Sequence, residues 1–405
     1  MFDVEQIRRE FPILEREVYG KRLVYLDSGA TAQKPRRVVE RMSELLLNDN
    51  ANIHRGVHLL SEEMTAKYEE AREVVRNFIG AECREEIVFT SGATMSLNLV
   101  ASSYCDRFLC EGDNVVVSHI EHHSNIVPWQ LAAERKGAEL RVIPVDDRGE
   151  LELDKLDVLI DARTKVVAVT QASNTLGTTP NLPLIIAKAH AAGAVVVVDG
   201  CQGIVHGGVD VRSLDCDFYA FSGHKLYGPT GIGVLYGKRD LLDKMPPYMG
   251  GGDMVDKVTF AKTTYAPLPL KFEAGTSNYI GAVGLAEAIK FVQSLSCEEV
   301  ARHEREMLNY ATEQLLGVEG LRIYGTTENK APIISFNVEG CDHYDIGMIL
   351  DKMGVAVRTG HHCAEPVMAR YGTNGVVRAS IALYTNRTDI DALVTGVKRA
   401  VRMLR

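Results

Sequence analysis

The sequence predicts an α/β protein: a large unit on a mostly parallel, seven-stranded sheet, followed by a smaller α+β unit. Three observations carry that expectation. Short runs rich in Val and Ile, bounded by turn residues, recur between residues 87 and 236. Amphipathic stretches of helical period separate several of them. After about residue 270 the order changes, and long helices precede strands.

Residues 87–90, 114–118, 140–145, 165–170, 194–199, 218–221 and 233–236 read as strands. Their apolar residues run on without alternation, the pattern of a strand covered on both faces. Stretches 94–108, 129–136 and 182–192 between them read as helices, giving the crossovers that parallel strands require. In the second unit, helices are expected over 282–294 and 297–316, strands over 331–338, 355–357 and 376–384, and a last helix over 388–404. The expected division is 20–270 for the large unit and 271–405 for the small one, with residues 1–19, including a helix over 3–10, packed on the latter.

Lys and Arg number 45 against 54 Asp and Glu, a net charge of −9 that disfavours a broad electrostatic grip on nucleic acid. The N-terminus shows no basic run followed by an apolar segment, and no stretch of eighteen apolar residues occurs, so the expected location is the cytosol, with no membrane partner. Eight cysteines without a C-x-x-C pair suggest neither a disulfide framework nor a zinc ribbon. Most are expected to be small core residues.

Chemistry concentrates at two expected strand ends. Val195-Val196-Val197-Val198 delivers Asp199, then Gly200-Cys201-Gln202; Phe218-Tyr219-Ala220-Phe221 delivers Ser222-Gly223-His224-Lys225. Open α/β sheets bind ligands at such carboxyl ends. A lysine for an aldehyde, an acid for a pyridine nitrogen and donors for a phosphate are what pyridoxal phosphate needs. Ser91-Gly92-Ala93-Thr94, leading from a strand into a helix, suits an anion, although the same residues make ordinary caps. His119-Ile120-Glu121-His122-His123 lacks a partner set with metal-ligand spacing, and an imidazole lying on an aromatic cofactor is the preferred reading.

Arg358-Thr359-Gly360-His361-His362-Cys363-Ala364 places an arginine and two histidines beside a thiol, which favours its nucleophilic thiolate. Arg378, an internal charge in an apolar strand, calls for an anion, either a substrate carboxylate or a structural ion-pair partner. A nucleotide-dependent oxidoreductase is disfavoured because no G-x-G-x-x-G turn follows an early strand. A non-catalytic scaffold leaves the pairing of Asp199 with Lys225 unexplained.

These residues carry a resemblance. Together with Tyr25-Leu26-Asp27, Asn52-Ile53-His54-Arg55-Gly56-Val57-His58, Glu121-His122-His123-Ser124-Asn125, Ser173-Asn174-Thr175-Leu176-Gly177 and Gly275-Thr276-Ser277-Asn278, they resemble the fold-type I, class V aminotransferase-like enzymes. The closest resemblance is to the group II, Suf-type cysteine desulfurases, also called selenocysteine lyases. It implies a pyridoxal 5'-phosphate enzyme that converts L-cysteine to L-alanine, or L-selenocysteine to L-alanine and selenide, with the sulfur held as a persulfide on Cys363. Lys225 would bind the cofactor aldehyde and shuttle the proton. Asp199 would pair with the pyridine nitrogen, Gln202 with the phenolic oxygen, and His122 would stack on the ring.

The resemblance further implies that Thr94, Ser222 and His224 bind the phosphate, with Thr276 reaching across from the other subunit of a homodimer. Asn174 and Arg378 would hold the substrate carboxylate, Arg358 would position substrate and loop, and His54 and Arg55 would lie at the substrate. A small sulfur-acceptor protein of a Suf-type system, feeding iron–sulfur cluster assembly, is the implied partner. The chain departs from the family pattern at Ser28-Gly29, at Met95, and at Cys201, where an alanine is usual.

Overall fold

Seven strands build the main sheet: β1 (Ile87–Thr90), β2 (Asn114–Ser118), β3 (Glu139–Ile143), β4 (Thr164–Thr170), β5 (Val195–Asp199), β6 (Phe218–Ser222) and β7 (Gly233–Gly237). The computed structural model describes residues 2–405. Across the sheet the order is β1-β7-β6-β5-β4-β2-β3, as expected mostly parallel, with β7 antiparallel to both of its neighbours. Alternate valines point to opposite faces, as the two-residue strand period requires. Val116, Val167, Val169, Val196 and Val198 enter one core, while Val115, Val117, Val166, Val195 and Val197 enter the other.

The helix expected over 94–108 runs as one rod from Ala93 to Phe108, with a wider π turn over Val100–Tyr104. The crossover helix Val127–Lys136 has a proline in its first turn and stops at Gly137, whose φ of +66° ends the helical path. Asn181 caps Leu182–Ala191 by accepting the Leu184 N–H at 3.2 Å.

The smaller sheet holds β8 (Leu321–Tyr324), β9 (Ile333–Val338), β10 (Arg358–Gly360) and β11 (Val376–Ser380) in the antiparallel order β8-β9-β11-β10. Helices Cys297–Leu316 and Arg387–Leu404 cover it, burying Met307, Leu315, Leu393 and Val397 in one core. Helix Tyr279–Gln293 behaves differently from the expected division at 270/271. It buries Leu285 and Ile289 in the core of the large sheet, because its apolar residues meet the long helix Leu59–Ile79. The strand expected to reach residue 384 ends at Ser380, where Thr385 Oγ1 accepts the Ala382 N–H at 3.0 Å and turns the chain toward the last helix.

The first helix spans Val4–Arg9, and Asp3 caps it by accepting the N–H groups of Glu5 and Gln6. Arg8 donates to the Tyr384 carbonyl and to Asp389 Oδ2 on the small unit, at 2.5 and 2.7 Å. Phe11 meanwhile packs edge-on against Tyr227 of the large unit and Tyr384 of the small one. The N-terminal segment therefore lies on the seam and touches both units. Among the described residues, no single helix is long and apolar enough to cross a membrane.

One charged pair sits in the large core. Arg72 Nη1 and Nη2 donate to Glu273 Oε1 and Oε2 at 2.6 and 3.0 Å, and the carboxylate also accepts Tyr68 Oη–H and the Phe89 N–H, each at 2.7 Å. Removing one partner strands the other charge in the core, so Glu273→Gln should lower the unfolding free energy by about 3 kcal/mol. Denaturant titration reads the loss; an unchanged midpoint would show that the pair carries no such weight.

Candidate active site

Parallel pairing brings the chemistry to one rim. Thr170 at the end of β4 pairs with Asp199 at the end of β5, and Asp199 pairs with Ala220 of β6, two residues before Ser222. Lys225 follows three residues later, so strand register alone places carboxylate and amine on the same edge. There, Gly29, Thr94, His122, Asn174, Asp199, Cys201, Ser222, His224, Lys225, Arg358 and Arg378 line a cavity of about 150 Å³.

Asp199 is buried, and its Oδ1 accepts the Cys201 N–H at 3.0 Å, which fixes the carboxylate. His122 is turned by its own loop: Nδ1 accepts the Ser124 N–H at 3.1 Å and contacts Ser124 Oγ at 2.8 Å. Burial, then the charge of Lys225, lowers its pKa to about 4, so the ring is neutral at neutral pH. His224 is lowered to about 4 by burial and by Lys225 and Lys34. Cys201 is buried at the cavity wall, its thiol pushed up to about 12 by burial, which leaves a neutral, small wall residue.

Gly92, with φ +153°, leads into helix 93–108 without a capping side chain of its own, and Ser222 Oγ accepts only the first N–H, that of Ala93, at 2.9 Å. Such an uncapped terminus beside Thr94, Ser222 and His224 is fit to receive a phosphate. Gln202 is buried behind the cavity and donates to the Gly29 carbonyl at 2.8 Å.

The carboxylate-binding side is equally built. Arg378 is 1% exposed; Nη1 donates to the Asn174 carbonyl at 3.0 Å and Nη2 to Asp27 Oδ1 at 2.9 Å. Asp27 thus supplies the ion-pair partner, a role that sequence pattern leaves open. Among the described residues Arg378 Nε has no partner, and Arg378 is one of the residues that line the cavity. Asn174 spends one amide N–H on the His362 carbonyl at 2.8 Å.

Cys363 stands one side chain from the cavity, its Sγ 3.9 Å from Arg358 Nη2. Two consecutive left-handed residues, His362 and Cys363 at φ +54° and +56°, present it. Such backbone is uncommon for non-glycine residues and persists where surrounding contacts hold it. Here the His123 N–H donates to the Cys363 carbonyl at 2.8 Å, and Asn174 holds that of His362.

One of the two neighbouring histidines, His362, does not charge the thiol as expected. His362 is buried, its Nε2 on the Val376 carbonyl at 3.1 Å, and burial lowers its pKa to about 2, so it is neutral. His361 Nδ1 accepts the Cys363 N–H at 3.1 Å. Arg358 is the permanent cation beside Cys363.

Three expected site residues lie elsewhere on this chain. Thr276 is exposed, in a surface depression with Ser91 and Met95. Arg55 pairs with Asp253 at 2.7 Å, and His54 packs edge-on to Tyr68. None of the three lines the Lys225 cavity. Asp27 and Glu121 act here in ways that sequence pattern does not show. Glu121 carries no pairing cue in sequence, yet it is fully buried, and burial raises its pKa to about 8. His119, Glu121 and His123 take separate partners, the Pro366 carbonyl, Asn125 and the Glu365 N–H, rather than converging on a metal.

A lysine and an aspartate on the carboxyl rim of this sheet, with a neutral imidazole and an uncapped helix between them, define a pyridoxal-phosphate enzyme of fold type I. The chain belongs to the class-V aminotransferase family, whose model matches residues 24–393. It is 49% identical to a cysteine desulfurase of Pectobacterium atrosepticum and 50% identical to one of Enterobacter sp., each over 100% of this chain and 99% of the relative. Among solved structures it is similar to the cysteine desulfurase CsdA (S-sulfonic acid) of Escherichia coli, with TM-score 0.93 and 41% identity over 100% of both chains. It is also similar to an apo cysteine desulfurase of Thermococcus onnurineus, with TM-score 0.94 and 39% identity over 99% of this chain and 98% of the other.

His122 and His224 each have a folded pKa of about 4, below the ordinary 6.5. For a base lowered on folding, stability is complete above pH 6.5 and is lost as pH falls toward 4. His122→Asn should therefore flatten the fall in stability between those values; an unaltered pH slope would show that His122 is not held neutral.

Proposed function

We propose that this chain is a pyridoxal-phosphate-dependent cysteine desulfurase, taking sulfur from L-cysteine onto Cys363 and leaving L-alanine. The observation that carries the reading is the placement of Cys363, through Arg358, beside a cavity that holds both Lys225 and Asp199. When bound, pyridoxal phosphate supplies an aldehyde for the substrate amine and a ring that accepts the electron pair released at Cα.

The chain's residues supply the rest. Lys225 Nζ would take the aldehyde, then carry the proton from Cα once substrate displaces it. Asp199 would keep the pyridine nitrogen protonated, and neutral His122 would lie on the ring without adding charge. Thr94, Ser222 and His224 would hold the phosphate, and Gln202 would lie near the phenolic oxygen. Arg378, oriented by Asp27 and the Asn174 carbonyl, would fix the substrate carboxylate together with the second N–H of the Asn174 amide.

Cys363 thiolate then attacks the substrate sulfur. An S–S bond forms, the substrate Cβ–S bond breaks with its electron pair remaining on carbon, and protonation gives alanine. Arg358 stands close enough to favour the anionic sulfur.

Delivery follows from the loop. Between the end of β10 at Gly360 and the helix Glu365–Arg370, the segment is short and tied by His123 and Asn174. A thiol so held has little reach, which supports a small acceptor protein, of the kind in a Suf-type system, coming to the site. A homodimer is part of the same reading, with exposed Thr276 and Arg55 and half-buried His54 serving the second subunit's cavity. The cytosol, where thiols stay reduced, suits a chain of eight free cysteines.

The test is alanine formation from L-cysteine by protein loaded with pyridoxal phosphate, with mass spectrometry of Cys363. Wild type should gain one sulfur on Cys363 and release alanine. Cys363→Ala should keep cofactor absorbance but lose turnover, and Lys225→Ala should lose about 10²–10⁴-fold in kcat. Alanine formed at the wild-type rate by Cys363→Ala would overturn the assignment; L-selenocysteine turned over by that variant would show selenide release that bypasses the persulfide.

A further inference from the structure

We propose that the buried chain Trp129–Asn125–Glu121 is a positioning device that sets the placement of His122 over the cofactor cavity. Glu121, Asn125 and Trp129 are all fully buried. Trp129 Nε1 donates to Asn125 Oδ1 at 2.9 Å, and Asn125 Nδ2 donates to Glu121 Oε2 at 2.7 Å. Glu121 Oε1 accepts from Ser118 Oγ, at the end of β2, and from the Thr170 N–H, at the end of β4, at 2.9 Å. No cation pairs with this carboxyl among the described residues, so its place in the core depends on these donors.

The chain reaches the site through the backbone. Asn125 N–H donates to the His122 carbonyl at 2.8 Å, and Thr170, the other anchor, pairs in register with Asp199. Glu121 thus clamps the loop bearing His122 to the strand that flanks Asp199. The group meant to lie on the ring is referenced to the group meant to hold its nitrogen. Trp129, in the core beneath the sheet with Val115, Val117 and Cys201, anchors the far end.

The polarity of the chain makes the idea testable. In Glu121→Gln the oxygen must stay on the Thr170 N–H, so the new amide N–H turns toward Asn125 Nδ2, and Asn125 cannot flip without facing Trp129 Nε1–H with a second donor. In Asn125→Asp two acids face each other. In the double variant Glu121→Gln/Asn125→Asp every bond is restored with one reversed. The introduced glutamine amide donates to the introduced aspartate carboxyl, which still accepts from Trp129, and the chain again holds a single acid.

The inference rests on the cavity being a pyridoxal-phosphate site. In holoprotein, each single variant should weaken pyridoxal-phosphate binding about tenfold and change the visible circular dichroism of the bound cofactor, with kcat falling more than KM rises. The double variant should recover the dichroism and most of the affinity. Energy transfer from Trp129, the only tryptophan, to the cofactor gives a second readout. Single variants that bind and turn over as wild type, or a double variant no better than the singles in dichroism, would overturn the inference while wild-type binding leaves the site assignment standing. Wild type that takes up no pyridoxal phosphate would overturn both.

Discussion

Parallel pairing of β4, β5 and β6 is the constraint on which the rest of this molecule depends. Thr170, Asp199 and Ala220 are neighbours across the sheet, so the three chains leave the core at one level. The loop after β5 begins with the carboxylate, and the loop after β6 carries Ser222, His224 and Lys225. Helices on both faces leave the carboxyl rim as the opening. A shift of one residue in β5 would turn Asp199 to the opposite face and dismantle the cavity.

The second unit completes the site by closing on that rim. Arg378 is the hinge pin in electrostatic terms: it is carried on β11 of the small sheet, yet bonds Asn174 in the middle of the large unit and Asp27 near its start. Ser335 Oγ donates to the Thr175 carbonyl at 2.6 Å and adds a neutral tie at the same seam. A buried arginine is costly unless paired, and here each tie belongs to a different part of the chain. The site is thus where three segments meet, and Cys363 reaches it on a loop whose two left-handed residues are held from the large unit by His123 and Asn174.

Strands 87–90, 114–118 and 218–221 were legible to within a residue because continuous Val, Ile and aromatic runs have few other uses in a soluble core. Short strands Leu321–Tyr324 and Arg358–Gly360 were not, since their charged and half-buried residues show no period until a neighbour pairs with them. Helix Tyr279–Gln293 was legible as a helix but not by allegiance: apolar spacing says that a face is buried, not against which partner. The same limit hid Asp27 and Glu121, whose roles come from contacts with Arg378 and with Ser118, Asn125 and Thr170.

Local pattern was enough to read the strands of the sheet, the polar groups Asp199 and Lys225 at their ends, and a thiol beside a cation, because it sets which groups stand at strand ends. Folding selected which charges count. It neutralised His362 and His122 by burial, gave Arg378 an aspartate from the far end of the chain, and kept His54, Arg55 and Thr276 away from this chain's own cavity. Burial and long-range pairing fix charge, and neither exists until the chain has folded.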